Sequence, residues 1–335
     1  MQEALLYQRI EDDAVRCGLC AHRCRVSPGR RGVCGVRENR GGTLFSLVAD
    51  RIVAEHVDPV EKKPLYHYQP ASRSYSVAAE GCNFRCRFCQ NSAISQLPLR
   101  GGPPAGRAVT PDELVQAALD SRCRSLSFTY TEPTVYFELA RSTGIRARER
   151  GLGNVFVTNG YMTAEAAEAC SAFLDAANVD LKSFSEDFYR EVCGGSLQPV
   201  LDTIRRLSGA GVHVEVTTLL VPGLNDSPGE IAQIARFLAG VHPEIPWHVS
   251  AFHPDYRMTD RPPTPPEKLL EAHRIGTGIG LKHVYCGNVP GLGREDTACP
   301  ACGALLIERR GFRVVRNRLD RPACPDCGAA VRIIL

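Results

Sequence analysis

The chain has 335 residues, 44% of them hydrophobic, with 40 basic residues against 37 acidic for a net charge of +3. This length supplies one large core domain with small appendages, and the near balance of charge lacks the strongly basic face that nucleic-acid binding needs, so no nucleic acid is expected as a partner. The first turns of sequence carry Glu3, Glu11, Asp12 and Asp13 without a signal-peptide-like apolar stretch, and no run reaches the length of a membrane helix, so a soluble, cytoplasmic protein with no membrane partner is expected. There are 15 cysteines, most of them in three groups with metal-ligand spacing, which fits a reducing compartment better than a disulfide framework.

Residues 1–70 form the first expected module, with Cys17, Cys20, Cys24 and Cys34 at C-x2-C-x3-C-x9-C spacing and Gly29 and Gly32 permitting a tight loop before the last thiol. Four thiols this close can bind a zinc ion or hold an iron-sulfur cluster, since four-cysteine ligation serves both. His22 is able to replace one of them. Alternating apolar positions over 43–49 and 52–57 predict a short hairpin, and Lys62 and Lys63 after it either contact an anionic substrate or, as expected first, form a solvated pair.

From residue 71 to 292 strand-like and helix-like segments alternate. Strands are predicted at 74–79, 125–130, 154–158, 177–182, 213–221, 247–252 and 283–286, with helices at 110–120, 163–170, 198–208, 227–238 and 266–276. Thr110, Pro111 and Glu113 make a helix-opening pattern. Successive β-α units with no G-x-G-x-x-G after the first strand predict an α/β fold, a partial (β/α)6 barrel whose chemistry sits at the carboxyl ends of the strands. Segments 97–107 and 258–266, rich in Gly and Pro, read as crossings and lids.

Directly after the first of these strands lie Cys82, Cys86 and Cys89 at C-x3-C-x2-C spacing. Three such thiols can hold three irons of a [4Fe-4S] cube and leave the fourth iron without a protein ligand. Structural zinc prefers C-x2-C pairs and four ligands, and no fourth cysteine or histidine lies nearby in sequence. An open iron accepts the amino and carboxylate groups of S-adenosylmethionine (SAM), whose one-electron cleavage releases a 5'-deoxyadenosyl radical, chemistry that belongs to the cofactors. With Phe88 just before the last cysteine, this loop resembles those of the radical SAM superfamily.

The strand ends that follow carry the candidate SAM contacts. Glu132, within 129–133, resembles the acidic residue of that superfamily's Gly-Gly-Glu-like motif and is a candidate for the SAM ammonium; its other reading is a cap for a helix starting near Thr134. Asn159 ends the third strand. Asp180 and Lys182 share one face by strand alternation, either to meet the ribose and carboxylate of SAM or as a self-satisfying ion pair. His213, Glu215 and Thr217, and likewise His248, Ser250 and Phe252, are candidate substrate contacts or protective walls, with His253 a candidate acid or base; no catalytic residue is assigned. Cys123, Cys170, Cys193 and Cys286 read as isolated buried thiols.

Residues 293–335 carry Cys299, Cys302, Cys324 and Cys327 in two C-P-x-C-G knuckles around a hairpin-like stretch at 305–315. This predicts a zinc-ribbon or rubredoxin-like module, zinc being expected over iron because it is redox-inert. Together with the N-terminal thiols, the stretch 61–67, the cluster loop, 218–226 and 247–254, the whole chain resembles the radical SAM component of the AmmeMemoRadiSam system. The resemblance implies kinship with pyruvate formate-lyase activating enzymes, Memo-like and AMMECR-type proteins as partners, and an electron donor such as a flavodoxin or ferredoxin. The expected function is reductive cleavage of SAM and hydrogen abstraction from a substrate, the alternative being activation of a glycine on a partner protein. An iron-sulfur electron carrier and a zinc-ribbon adaptor are weaker readings, opposed by Glu132, Asp180 and Lys182 and by the long β-α core.

Overall fold

A computed structural model describes residues 1–96 and 102–335. Eight strands form one open sheet in sequential order: β1 (Ala54–Pro59), β2 (Arg73–Ala78), β3 (Ser125–Phe128), β4 (Gly153–Thr158), β5 (Ala176–Asp180), β6 (His213–Leu220), β7 (Trp247–Ala251) and β8 (Val284–Gly287). β1 is antiparallel to β2 and all later neighbours are parallel. One long helix crosses between each successive parallel pair: α1 (Pro111–Asp120), α2 (Phe137–Glu149), α3 (Ala164–Ser171), α4 (Gln198–Gly209), α5 (Pro228–Val241) and α6 (Pro266–Ile279). This is the partial (β/α)6 barrel expected from the alternation. Because helices cover its outer face, strands such as β3 and β7 are buried at every residue.

The helix starts follow from their first residues. Thr110 accepts from the Glu113 N–H while Glu113 accepts from the Thr110 N–H at 2.7 Å, a reciprocal cap. Thr163 and Ser227 cap α3 and α5 in one direction only, their hydroxyls accepting from the Ala166 and Glu230 N–H groups. β3 stops two residues short of its predicted end, because Tyr130 takes a left-handed φ of 65° just before Pro133.

The hairpin predicted over 43–57 does not form. Thr43–Ser46 pairs with Arg37–Arg40 and with Gln2–Glu3, whereas β1 pairs with β2 and so becomes the edge of the main sheet. Local alternation marks both segments as strands but carries no information on which distant edge each will join. Of the predicted crossing at 97–107, residues 97–101 lie outside the described residues, and Arg107–Ala108 pairs with Arg51–Ile52. The second, 258–266, is pinned by Thr264, whose hydroxyl donates to Leu220 O at 2.6 Å. Among the described residues no helix is long and apolar enough to cross a membrane.

The tail forms a three-stranded antiparallel sheet over its own small core of Leu306, Ile307, Leu319, Val331 and Ile333 with Cys299 and Cys324. It docks on the barrel through a buried polar network centred on Glu215 at the amino end of the sheet. The carboxylate accepts the backbone N–H groups of Tyr66 and His67 at 3.0 and 2.7 Å, with the Nε2 atoms of His213 and His248 at 3.0 and 2.6 Å. His67 in turn sits 2.9 Å from Arg332 O and 2.6 Å from the Tyr285 hydroxyl. Arg309 of the tail, fully buried, donates to Thr297 Oγ1 within the tail at 2.7 Å and across to Tyr66 O at 2.8 Å, and lies 4.2 Å over the Tyr66 ring.

Burial alone would raise Glu215, but the hydrogen bonds from His213 and His248 outweigh it and hold the carboxyl well below its usual range. Glu215→Ala strands two backbone donors and two imidazoles in a dry interior, so folding stability should fall by about 3–5 kcal/mol in chemical denaturation. Acid should act on the same region. Burial lowers His283 from 6.5 to about 4, so the unfolded chain takes up its proton first and the stabilisation present at neutral pH is lost as pH falls through that window. A denaturation midpoint that stays constant between about pH 6.5 and 4 would contradict this.

Candidate active site

The chain leaves β2 and turns at Gly81, whose φ of +106° suits glycine alone. A Cβ there would lie 2.8 Å from Val36 Cγ1 and 3.1 Å from Cys34 O. The turn brings Cys82, Cys86 and Cys89 onto the wall of a cavity of about 1210 Å³ at the carboxyl ends of the strands. Backbone bonds from Arg85 to Cys193 O at 2.6 Å and from Arg87 to Val192 O at 3.0 Å fix the loop. Phe84, buried, wedges it against Tyr161 with ring centroids 4.9 Å apart. Phe88 lines the cavity beside the thiols.

The sulfurs have their own donors. Cys82 Sγ accepts the Phe84 N–H at 3.3 Å and lies 3.8 Å from Asn159 Nδ2, while Cys89 Sγ lies 3.3 Å from Ser95 Oγ. Burial pushes the Cys82 and Cys89 thiols up. Cys86 is pushed up first by the neighbouring Cys193 thiol and then by burial. Cys193 is therefore not isolated, as its sequence position suggests; it comes up against Cys86 from a distant helical turn, and does not itself line the cavity.

Glu132 serves as the cap that was its other reading, and it also lines the cavity. Oε1 accepts from Thr134 N at 3.0 Å, Thr134 Oγ1 at 2.5 Å and Thr158 Oγ1 at 2.7 Å, and Oε2 accepts from Asn159 N at 2.8 Å. The carboxylate caps the turn Pro133–Tyr136 and ties it to the end of β4, leaving little acceptor capacity for an ammonium even though the residue lines the cavity. Asn159 is likewise turned to the loop, with Nδ2 donating to Asn83 Oδ1 at 2.7 Å. Asp180 and Lys182 face the cavity as strand alternation predicts and pair with each other at 2.9 Å. Burial would lower Lys182, but Asp180 and the thiols beside it raise it well above the ordinary value.

Other predicted contacts divide by depth. Thr217, His248 and Ser250 line the cavity. His213 and Glu215 lie in the docking network below it, Phe252 is buried away from it, and His253 is exposed outside it. Lys63, predicted to be solvated, is 2% exposed and donates to Asp58 at 2.6 Å, beside the Tyr130 hydroxyl. The far wall comes from 288–291 and from Arg310, Gly311 and Phe312 of the tail, a contribution with no local sequence signal.

A profile of the radical SAM superfamily matches residues 76–238, from β2 into α5. The chain is also 44% identical over 338 residues to an uncharacterized protein of Methanocaldococcus jannaschii, covering 100% of both chains. The chain belongs to the radical SAM superfamily. It is similar as well to the isethionate sulfite-lyase activating enzyme of Nitratidesulfovibrio vulgaris, 28% identical over 57% of this chain and 65% of that one. With the SAM-bound crystal structure of Streptococcus suis SuiB it shares the fold, at a TM-score of 0.51 and 14% identity over 64% of this chain and 49% of that one.

Membership of the radical SAM superfamily implies a [4Fe-4S] cluster and SAM, and the thiols fit a cluster better than a single ion. Zinc-sulfur bonds of about 2.3 Å in a tetrahedron put sulfurs about 3.8 Å apart. The tail thiols meet that, with Cys299–Cys327 and Cys302–Cys324 sulfurs each at 3.7 Å and all four within 4.8 Å. Cys82, Cys86 and Cys89 do not draw together so closely, as suits thiolates bound to different irons of a cube. In Gly81→Ala the left-handed backbone and the contact with Val36 cannot both persist, at a cost of about 1–3 kcal/mol. Reconstituted Gly81→Ala should lose most of its SAM-responsive cluster EPR signal while its far-UV circular dichroism stays native; an unchanged signal would show that the turn does not position the thiols.

Proposed function

We propose that this chain binds a [4Fe-4S] cluster at Cys82, Cys86 and Cys89, takes SAM at the iron they leave open, and abstracts hydrogen from a substrate held in the same cavity. One observation carries the reading: the three thiols, the Asp180–Lys182 pair and a separate far wall all line a single cavity of about 1210 Å³, beyond the roughly 300–1,000 Å³ of a pocket for one small ligand. When bound, the cluster and SAM supply one-electron cleavage of the sulfonium to methionine and a 5'-deoxyadenosyl radical.

The chain's own residues hold and shield. Asn159 directs its amide toward Cys82 and Asn83, setting the loop and the electron density on one sulfur. Lys182 is placed for the SAM carboxylate and Asp180 for a ribose hydroxyl, while Glu132 fixes the strand end behind them. The apolar Phe84, Phe88, Val157 and Leu219 surfaces keep water from the reacting carbon. A flavodoxin or ferredoxin is the proposed electron source, and zinc the proposed tail metal, supported by sulfurs 3.7 Å apart.

The resemblance to the AmmeMemoRadiSam radical SAM component supports Memo-like and AMMECR-type proteins as partners. Similarity to the isethionate sulfite-lyase activating enzyme favours a second reading, abstraction from a glycine of a partner protein. Reduced, reconstituted enzyme should form 5'-deoxyadenosine from SAM, and Cys86→Ala should form none. Lys182→Ala should weaken SAM binding at least about tenfold, the scale of one charge-assisted hydrogen bond. Deuterium passing into 5'-deoxyadenosine from a small molecule or from a partner's labelled glycine separates the two readings; a cluster signal indifferent to SAM would refute both.

A further inference from the structure

We propose that Cys17, Cys20, Cys24 and Cys34 hold a second [4Fe-4S] cluster, fully ligated by protein, which relays single electrons to the cluster loop at Cys82, Cys86 and Cys89. The site stands on the N-terminal module alone; only the relay rests on the function proposed above.

The four thiols are gathered by local structure. Val15–Cys17 pairs antiparallel with Arg25–Val26, and the Cys17 N–H donates to Cys24 O at 2.9 Å. Cys20 sits in the turn between them, and a Cβ on Gly32 would lie 3.6 Å from Cys24 Sγ, so the loop leading to Cys34 closes over the same spot. Cys17 and Cys34 are buried, while Cys20 and Cys24 are half-buried. His22 is not a substitute ligand by way of Nε2, which lies 2.8 Å from Asn83 O.

Spacing distinguishes a cluster from one ion. The tail provides a standard within the same molecule: its four sulfurs close to within 4.8 Å of one another, as a single tetrahedral ion requires. Among the described residues no three of the N-terminal thiols close to that distance, and in this they match the cluster loop. Thiolates on separate corners of an iron-sulfur cube do not need to close to the spacing of a single tetrahedral ion.

The surroundings also call for an anion. Arg37 is 1% exposed, donates from Nη1 to Cys17 Sγ at 3.3 Å and pairs through Nη2 with Glu138, yet its Nε has no partner. Glu138 balances the guanidinium on one side, and on the other the Nη1 donor stands ready to hydrogen-bond the thiolate of a net-anionic cluster.

Position gives the function. Cys34 O lies 3.1 Å from where a Gly81 Cβ would be, His22 contacts Asn83, and Arg85 Nη2 donates to Val33 O. The two ligand loops are thus in van der Waals and hydrogen-bond contact, with the half-buried Cys20 and Cys24 toward solvent. In each transfer a one-electron carrier of the flavodoxin or ferredoxin class is oxidised by one electron and the N-terminal cluster reduced. That cluster is then reoxidised as the loop cluster gains the electron; no bond or proton changes.

The test uses full-length protein reconstituted without oxygen. Wild type should contain about eight acid-labile sulfides per chain, two cubes' worth; about four would overturn the proposal whether or not any variant folds. Cys82→Ala/Cys86→Ala/Cys89→Ala should keep about four, with a [4Fe-4S] EPR signal after dithionite that ignores SAM. Zinc and no sulfide in that variant would refute the site, and this outcome is independent of whether the loop binds SAM. Cys17→Ser/Cys20→Ser should slow reduction of the loop cluster by flavodoxin at least about tenfold while reduction by dithionite is unchanged; equal flavodoxin rates would overturn the relay.

Discussion

The close approach of Gly81 to Val36 and Cys34 is the constraint on which the cavity depends. A parallel strand ends in backbone groups that its neighbours no longer pair, so whatever follows must find new partners or face water. Here the chain reverses tightly against the N-terminal module, and the same turn sends three thiols toward the cavity. Any side chain at that position would push the loop off its backing. The N-terminal module is therefore part of the scaffold of the site as well as a candidate metal centre.

A second constraint acts from the opposite end of the sheet. Glu215 gathers backbone from 66–67, imidazoles from β6 and β7, and through His67 and Tyr285 the tail. A buried carboxylate is tolerated only when nearly every lone pair is used, which makes the arrangement exacting. Its consequence lies some distance away: once Arg309 is locked into this network, Arg310, Gly311 and Phe312 are carried to the cavity wall. A metal ion held by the four tail thiols would brace the tail sheet and so help to shape the space in which a substrate would sit.

Much of this was legible in the sequence because it is local. Runs such as β3 and β7 announce buried parallel strands, Thr110 with Glu113 announces a helix start, and C-x3-C-x2-C after a strand announces the cluster loop. What escaped is non-local. Residues 43–49 and 52–57 look like hairpin partners yet join different sheets, since pairing choice depends on edges formed elsewhere. Lys63 looks like a surface lysine because nothing nearby in sequence reveals that Tyr130 will stand beside Asp58. Glu132 lines the cavity, but its commitment to Thr158 and Asn159 is legible only once β4 stands beside it.

The three thiol groups present one ligand type in different arrangements within one chain. Thiolate chemistry alone does not choose between zinc and iron-sulfur, so selection must come from geometry. In the tail, each C-P-x-C-G knuckle folds its pair back and the two knuckles meet, contracting four sulfurs to the size of one ion. In the cluster loop, Phe84 and Phe88, both buried, anchor C-x3-C-x2-C against Tyr161 and Phe188. The N-terminal group opens with C-x2-C and so looks knuckle-like in sequence, but its second pair is split by the long excursion to Cys34, and Arg37 donates to Cys17 Sγ. The spacing that separates its sulfurs and the cation that approaches them are two independent features of the fold, and both favour a larger anionic guest over a single ion.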